Sequence, residues 1–79
     1  MKWVNAVERL PAQNQEYWNA FYIVCIGGKR VTVRIYEVTK IRGKTVRRWK
    51  YPWDAISDEN ITHWAELPEP PKEAANNGD

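Results

Sequence analysis

Between Asn19 and Tyr51 the chain reads NAFYIVCIGGKRVTVRIYEVTKIRGKTVRRWKY. Apolar and polar positions alternate with a period of two, and most of the apolar residues are β-branched or aromatic. That period and that composition favour strands over helices. Two interruptions divide the pattern. Gly27-Gly28 can supply the positive φ values of a two-residue primed turn. Arg42-Gly43 is a weaker turn signal, carried mainly by Gly43. The pattern therefore predicts an antiparallel meander over residues 20–26, 30–41 and 44–51, with turns at 27–28 and 42–43.

Two-residue loops would fix the register. Across the first turn Ile26 faces Lys29, Val24 faces Val31, Tyr22 faces Val33 and Ala20 faces Ile35. Across the second, Ile41 faces Lys44, Thr39 faces Val46, Glu37 faces Arg48 and Tyr36 faces Trp49. Alternation then sorts two faces. The first holds Tyr22, Val24, Ile26, Val31, Val33 and Ile35, with a Glu37–Arg48 pair at its margin; it is the expected core face. The second mixes cations with rings: Phe21, Ile23, Arg30, Thr32, Arg34, Tyr36, Val38, Arg47, Trp49 and Tyr51. A one-residue bulge exchanges the faces beyond it, and the abrupt IYEV pattern leaves room for one near Tyr36.

A three-stranded sheet needs a cover on its apolar side, and only the two ends of the chain can provide it. KWVNAVERLP at the start reads as a short strand at residues 2–5 or a short helix, stopped by Pro11. After the hairpins, Pro52 ends pairing, and Asp54 can cap one helical turn over residues 55–58. NITHWAELPEPP follows as a last strand, in which Ile61, His63 and Ala65 point one way and Thr62, Trp64 and Glu66 the other. Trp3, Trp64 and Leu67 are expected to be buried close to Val31, Val33 or Ile35. The fold class is mainly β, at most α+β: a small antiparallel meander of three to five strands with no more than one short helical turn. Residues 1–71 form a single domain. The small, polar, acidic residues 72–79 are expected to be a disordered tail.

Size changes this picture little. Seventy-nine residues make one small domain, which buries only roughly 60% of the surface its unfolded chain exposes. A single cysteine, Cys25, allows no internal disulfide, and with one histidine, His63, it cannot assemble a zinc site. Five Trp, four Tyr and one Phe supply the core mass instead. No apolar run is long enough for a membrane span. The start of the chain has no apolar signal core, so a soluble, reducing, cytoplasmic setting is expected.

Charge changes it more. The net charge is +2, but residues 1–28 sum to zero, residues 29–50 to +8 and residues 51–79 to −6. Such asymmetry marks either an interaction surface or a basic hairpin neutralised by the acidic end of its own chain.

The two ends carry a further signal. Trp3, Val4, Leu10 and Pro11 form a Trp-Val…Leu-Pro pattern. Thr62, His63 and Trp64 with Leu67, Pro68, Glu69, Pro70 and Pro71 form a Thr-His-Trp…Leu-Pro-Glu-Pro-Pro pattern. Together they resemble a domain family of unknown function found in small bacteriophage and prophage proteins. Its members begin Trp-Ile/Val, reach Leu-Pro soon after, and end Thr-His-Trp-Met-Pro-Leu-Pro-Glu-Pro-Pro. The chain departs from that pattern at Ala65 and Glu66. The resemblance implies phage origin and a small β-rich fold, and it implies no reaction; with phage origin, the expected cytoplasmic setting is that of the host cell.

Signatures of catalysis are thin. Asp58–Glu59 and Glu66–Glu69 are carboxylate pairs in polar segments. Cys25 and His63 are nucleophile and base types with no third residue to orient them. Gly27-Gly28-Lys29 precedes a strand rather than a helix, unlike a phosphate loop. No enzyme activity and no cofactor are expected. A protein-interaction module is expected instead, one that docks on a host or phage protein and can inhibit a host or defence protein. The alternative is single-stranded nucleic-acid binding on the mixed face. For both readings Arg34, Tyr36, Arg47, Trp49 and Tyr51 are the candidate partner-binding face, and exposed rings beside Arg suit interface hot spots and stacking platforms alike. LPEPP can also offer an extended polyproline segment to an aromatic groove. The outer strands leave edges that allow a monomer or an edge-paired dimer.

Overall fold

The computed structural model describes residues 2–68. They form one five-stranded antiparallel sheet and no helix. The strands are β1 (Val4–Asn5), β2 (Trp18–Ile26), β3 (Arg30–Ile41), β4 (Lys44–Lys50) and β5 (Ile61–Glu66). Their spatial order is β1-β5-β2-β3-β4. The three central strands are the expected meander. The last strand does not extend it at β4 but returns to the far side of β2, where it also pairs with β1. The acidic tail at 72–79 and Pro70–Pro71 lie outside the described residues.

The second hairpin has the expected register, with Ile41 opposite Lys44, Glu37 opposite Arg48 and Tyr36 opposite Trp49. Arg42 and Gly43 hold φ values of 53° and 81°, as a tight two-residue loop requires. The first hairpin differs by one residue. Gly27 and Gly28 do adopt positive φ, 60° and 71°, and the Lys29 N–H closes the turn on the Ile26 carbonyl at 3.1 Å. Yet Arg30, not Lys29, stands opposite Ile26, so Val24 faces Thr32, Tyr22 faces Arg34 and Ala20 faces Tyr36. Lys29 is an extra residue at the mouth of the hairpin. Side chains alternate with period two, so this single residue moves every β3 side chain to the other face relative to β2. No irregularity falls at Tyr36. A register shift does occur where β5 meets β2, between Cys25 and Ile26. There the Thr62 hydroxyl donates to the Cys25 carbonyl (3.1 Å) and accepts from the Gly28 N–H (3.2 Å).

The inner face consequently carries Tyr22 and Val24 from β2, Arg34, Tyr36 and Val38 from β3, Arg47 and Trp49 from β4, and Trp64 from β5. Tyr22, Val24, Tyr36, Val38 and Trp64 are its buried cluster. The rings meet edge to face: Tyr22 and Trp64 at 5.4 Å, Tyr36 and Trp49 at 4.7 Å. Two irregular segments cover this face. Residues 6–17 cross one part, with Pro11 fully buried and Leu10 and Ala12 packed on the cluster. Residues 57–60 cross the other on the way from β4 to β5. The expected helical turn over 55–58 is absent. Asp54 has a φ of 72° and ends a tight turn, and Ile56 bridges to Lys50 in antiparallel fashion, covering part of the β4 edge.

Three expectations about the core are corrected. Val31, Val33 and Ile35 lie on the opposite, outer face with Phe21, Ile23 and Cys25. Trp64 is buried as expected, but against Tyr22 and Val24 rather than against those three. Trp3 and Leu67 are exposed. In β1 it is Val4, not Trp3, that pairs with Trp64 and packs on the cluster.

Candidate partner-binding face

Register brings Arg34, Tyr36, Arg47, Trp49 and Tyr51 together, as expected, but turns them inward. Tyr36 is 1% exposed and Arg34 is 7% exposed; Arg47, Trp49 and Tyr51 are half-buried. They do not form an open patch, because the two covering segments sit on them. The physical reason is the irregularity of that cover. Loop backbone has carbonyls with no ladder to join, and buried carbonyls need donors. Arg47 donates to the carbonyls of Ala12 (3.0 Å) and Gln13 (2.8 Å). The Trp64 indole N–H donates to the Arg9 carbonyl at 2.8 Å. A mixture of cations and rings is thus what a sheet face needs in order to hold a roof of loops.

The other covering segment is held by charge. Glu59 accepts from Arg34 Nε at 2.7 Å and from Arg30 at 2.5 Å, and the Ser57 hydroxyl adds a bond at 3.1 Å. Hydrogen bonding to Arg34 lowers the Glu59 pKa below the usual carboxylate range, and the same bond raises that of Arg34. Beneath Arg34, the Tyr51 ring lies 5.0 Å from the guanidinium carbon. Tyr51 stacks in turn on Trp53, with centroids 4.6 Å apart and planes within 4°. Its hydroxyl donates to Asp58 at 2.8 Å, which raises its pKa. Among the described residues the Tyr36 hydroxyl has no partner within hydrogen-bonding geometry; burial raises its pKa, and the nearby Arg47 guanidinium opposes the shift.

The outer face is the contrasting surface. Among the described residues neither covering segment lies on it. Phe21 is 47% exposed and Val31 58% exposed, with Ile41 and Trp3 also open to solvent. Ile23, Val33, Ile35 and Val46 continue the apolar surface between them as half-buried residues. At the β4 margin, Glu37 accepts from Arg48 (2.8 Å) and Lys50 (3.5 Å), and Lys50 also pairs with Asp54. Sequence reasoning assigned Val31, Val33 and Ile35 to the core and so missed this surface. The local pattern pointed the other way, because Val31, Val33, Ile35 and Ile41 make the outer side of β3 the more apolar one.

One end of the outer face is concave. A cleft of about 350 Å³ is lined by Trp3, Cys25, Gly28, Lys29, Val31 and His63. Cys25 stands directly opposite His63 across β2 and β5. Among the described residues no hydrogen bond joins the two. His63 Nδ1 instead contacts the Thr62 hydroxyl at 3.0 Å, and no carboxylate among the described residues orients the ring. The pair lacks the geometry of an activated nucleophile.

Comparison with known proteins adds one finding. No curated protein and no solved structure matches the chain. A family model does match, over residues 2–72, nearly the whole length and both ends at which the Trp-Val…Leu-Pro and Thr-His-Trp patterns fall. The chain belongs to the family described as "Protein of unknown function (DUF551)".

Proposed function

We propose that this chain is a non-enzymatic accessory protein of phage or prophage origin that acts in the host cytoplasm as a protein-binding module. Its docking surface is the outer face of the sheet, and its target is a host or phage protein whose activity the docking can block. One observation carries the reading: among the described residues a continuous apolar sheet face, centred on Phe21, Val31, Val33 and Ile35, is left uncovered while two loop segments cover most of the opposite face. Exposed contiguous apolar surface in a small protein marks an interaction site. The five residues first expected to bind a partner support this reading only from behind, by fixing the roof and leaving the outer face free. The alternative, single-stranded nucleic acid bound by Arg34, Tyr36, Arg47 and Trp49, has less support. Those side chains already serve Glu59, loop carbonyls and one another, and aliphatic residues on the outer face offer few rings for stacking.

The test is affinity capture from infected or lysogenic cells with the wild-type chain and with Phe21→Asp, each with and without nuclease. The reading predicts a protein partner that survives nuclease and is lost with Phe21→Asp. Partners that vanish with nuclease, or that bind Phe21→Asp as well as wild type, contradict it.

A further inference from the structure

Residues 29–50 hold nine Lys and Arg side chains, and six of them have partners within the fold. Arg30 and Arg34 meet Glu59, Arg48 and Lys50 meet Glu37, Lys40 meets Glu16, and Arg47 meets loop carbonyls. Among the described residues the other three, Lys29, Arg42 and Lys44, have none, and all three are exposed. Their positions are not scattered. Lys29 lies in the β2–β3 turn and lines the cleft at one end of the outer face. Arg42 lies in the β3–β4 turn, and Lys44 stands opposite Ile41 on the outer face at the other end. β3 separates the two ends by 12 residues, roughly 35–40 Å at ~3.4 Å per residue. The apolar face is thus bounded at both ends by cations that have no charge partner among the described residues.

We infer that the occupant of this face is an acidic protein segment: one with an apolar centre that lies along Phe21, Val31 and Ile35, and with carboxylates at its ends that meet Lys29 and the Arg42–Lys44 pair. An apolar side chain of that segment seats in the cleft beside Lys29. The inference rests on the outer face being the binding surface. Charge complementarity selects this occupant over three others. A second copy packed face to face with aligned strands sets cationic ends against cationic ends, whichever in-plane two-fold axis relates the copies. A nucleic acid matches the cations but not the aliphatic centre. An anionic membrane matches both, yet would bury the Glu37–Arg48–Lys50 network against acyl chains that offer it no hydrogen bonds.

A random peptide display library selected against the immobilised full chain tests this. Binders are expected to be enriched in Asp and Glu on either side of large apolar residues. They should fail on Phe21→Asp, or on Val31→Asp if Phe21→Asp does not fold by circular dichroism. The triple variant Lys29→Glu/Arg42→Glu/Lys44→Glu should weaken them about tenfold or more, equivalent to ~1.4 kcal/mol. Replacing their acids by Lys should restore binding to that variant. Binders that need Phe21 or Val31 but are indifferent to the charge reversal overturn the acidic partner and leave the face as the binding surface. Binders indifferent to both, or a library that yields none, overturn the face itself. Sedimentation of the peptide-free chain with phosphatidylserine vesicles, or a dimer dispersed by Phe21→Asp, would assign the face to a membrane or to a second copy and overturn the inference.

Discussion

The two faces of this sheet are built from different side chains, and each plays the structural role that the composition of the other suggests. The inner face carries cations and large rings, a composition that suggests a binding surface. Its Arg and Trp donors are spent on loop carbonyls and on Glu59. The outer face carries Val, Ile and Phe, a composition that suggests a core, and it is open. What decides the role of a face is what crosses it. Irregular loops leave carbonyls that need donors, and here the inner face supplies them through Arg47 and Trp64 while Arg34 holds the second segment through Glu59. An aliphatic face offers none, and in the proposed function it is the face that receives a partner bringing its own satisfied backbone. In this chain polarity on a sheet face marks the side that is covered from within.

That contrast can be broken most severely at Trp64. Its ring is buried against Tyr22 and its N–H holds Arg9. Trp64→Ala should cost ~3–5 kcal/mol, comparable with the entire stability of a small domain. An unchanged melting temperature would return the inner face to the list of surfaces.

Glu59 comes next. Removing its charge strands Arg34, which is 7% exposed. Glu59→Gln should cost ~2–4 kcal/mol, at the level of breaking a largely buried ion pair. The effect should depend on pH in a defined direction. The folded-state pKa of Glu59 is depressed by Arg34, so its stabilisation is fully present above the unfolded value of about 4.3. It is lost as the pH falls through the lower folded value. Urea melts of wild type and Glu59→Gln should converge in that acid range and stay apart at neutral pH. A constant gap between them across the whole range would show that the carboxylate charge is not what holds residues 57–60.

Much of the fold was legible in the sequence and the candidate face was not, for one reason. Strand existence, both turns and the second register followed from period-two alternation and from glycine φ requirements, and each is local. Face identity is a parity, and a single residue resets it. Lys29 does not differ in type from a strand residue, and its insertion is decided by how the turn meets β3. Once the register moved by one, Val31, Val33 and Ile35 went outward and Arg34, Tyr36 and Val38 inward. The chain ends were misjudged similarly: Val4 rather than Trp3 faces Trp64 because β1 pairs in the other phase. The return of β5 beside β2 depends on long-range contacts that no local pattern encodes. The charge partition was the most informative signal that went only half-read. It was resolved by carboxylate pairing within the fold for five cations and by loop carbonyls for Arg47, and among the described residues it was left open for three.

The most direct test uses two valines of the same strand. Val38 is 1% exposed on the inner face and Val31 is 58% exposed on the outer face. Both are truncated to alanine and unfolded in urea, with the isolated protein free of partners. The account predicts a loss of ~1.5–3 kcal/mol for Val38→Ala, from the two buried methyl groups and the cavity they leave, and a change within about 0.5 kcal/mol for Val31→Ala, as for an ordinary surface position. Equal losses, or a larger loss at Val31, would mean that the outer face is a core and that the assignment of the two faces is reversed.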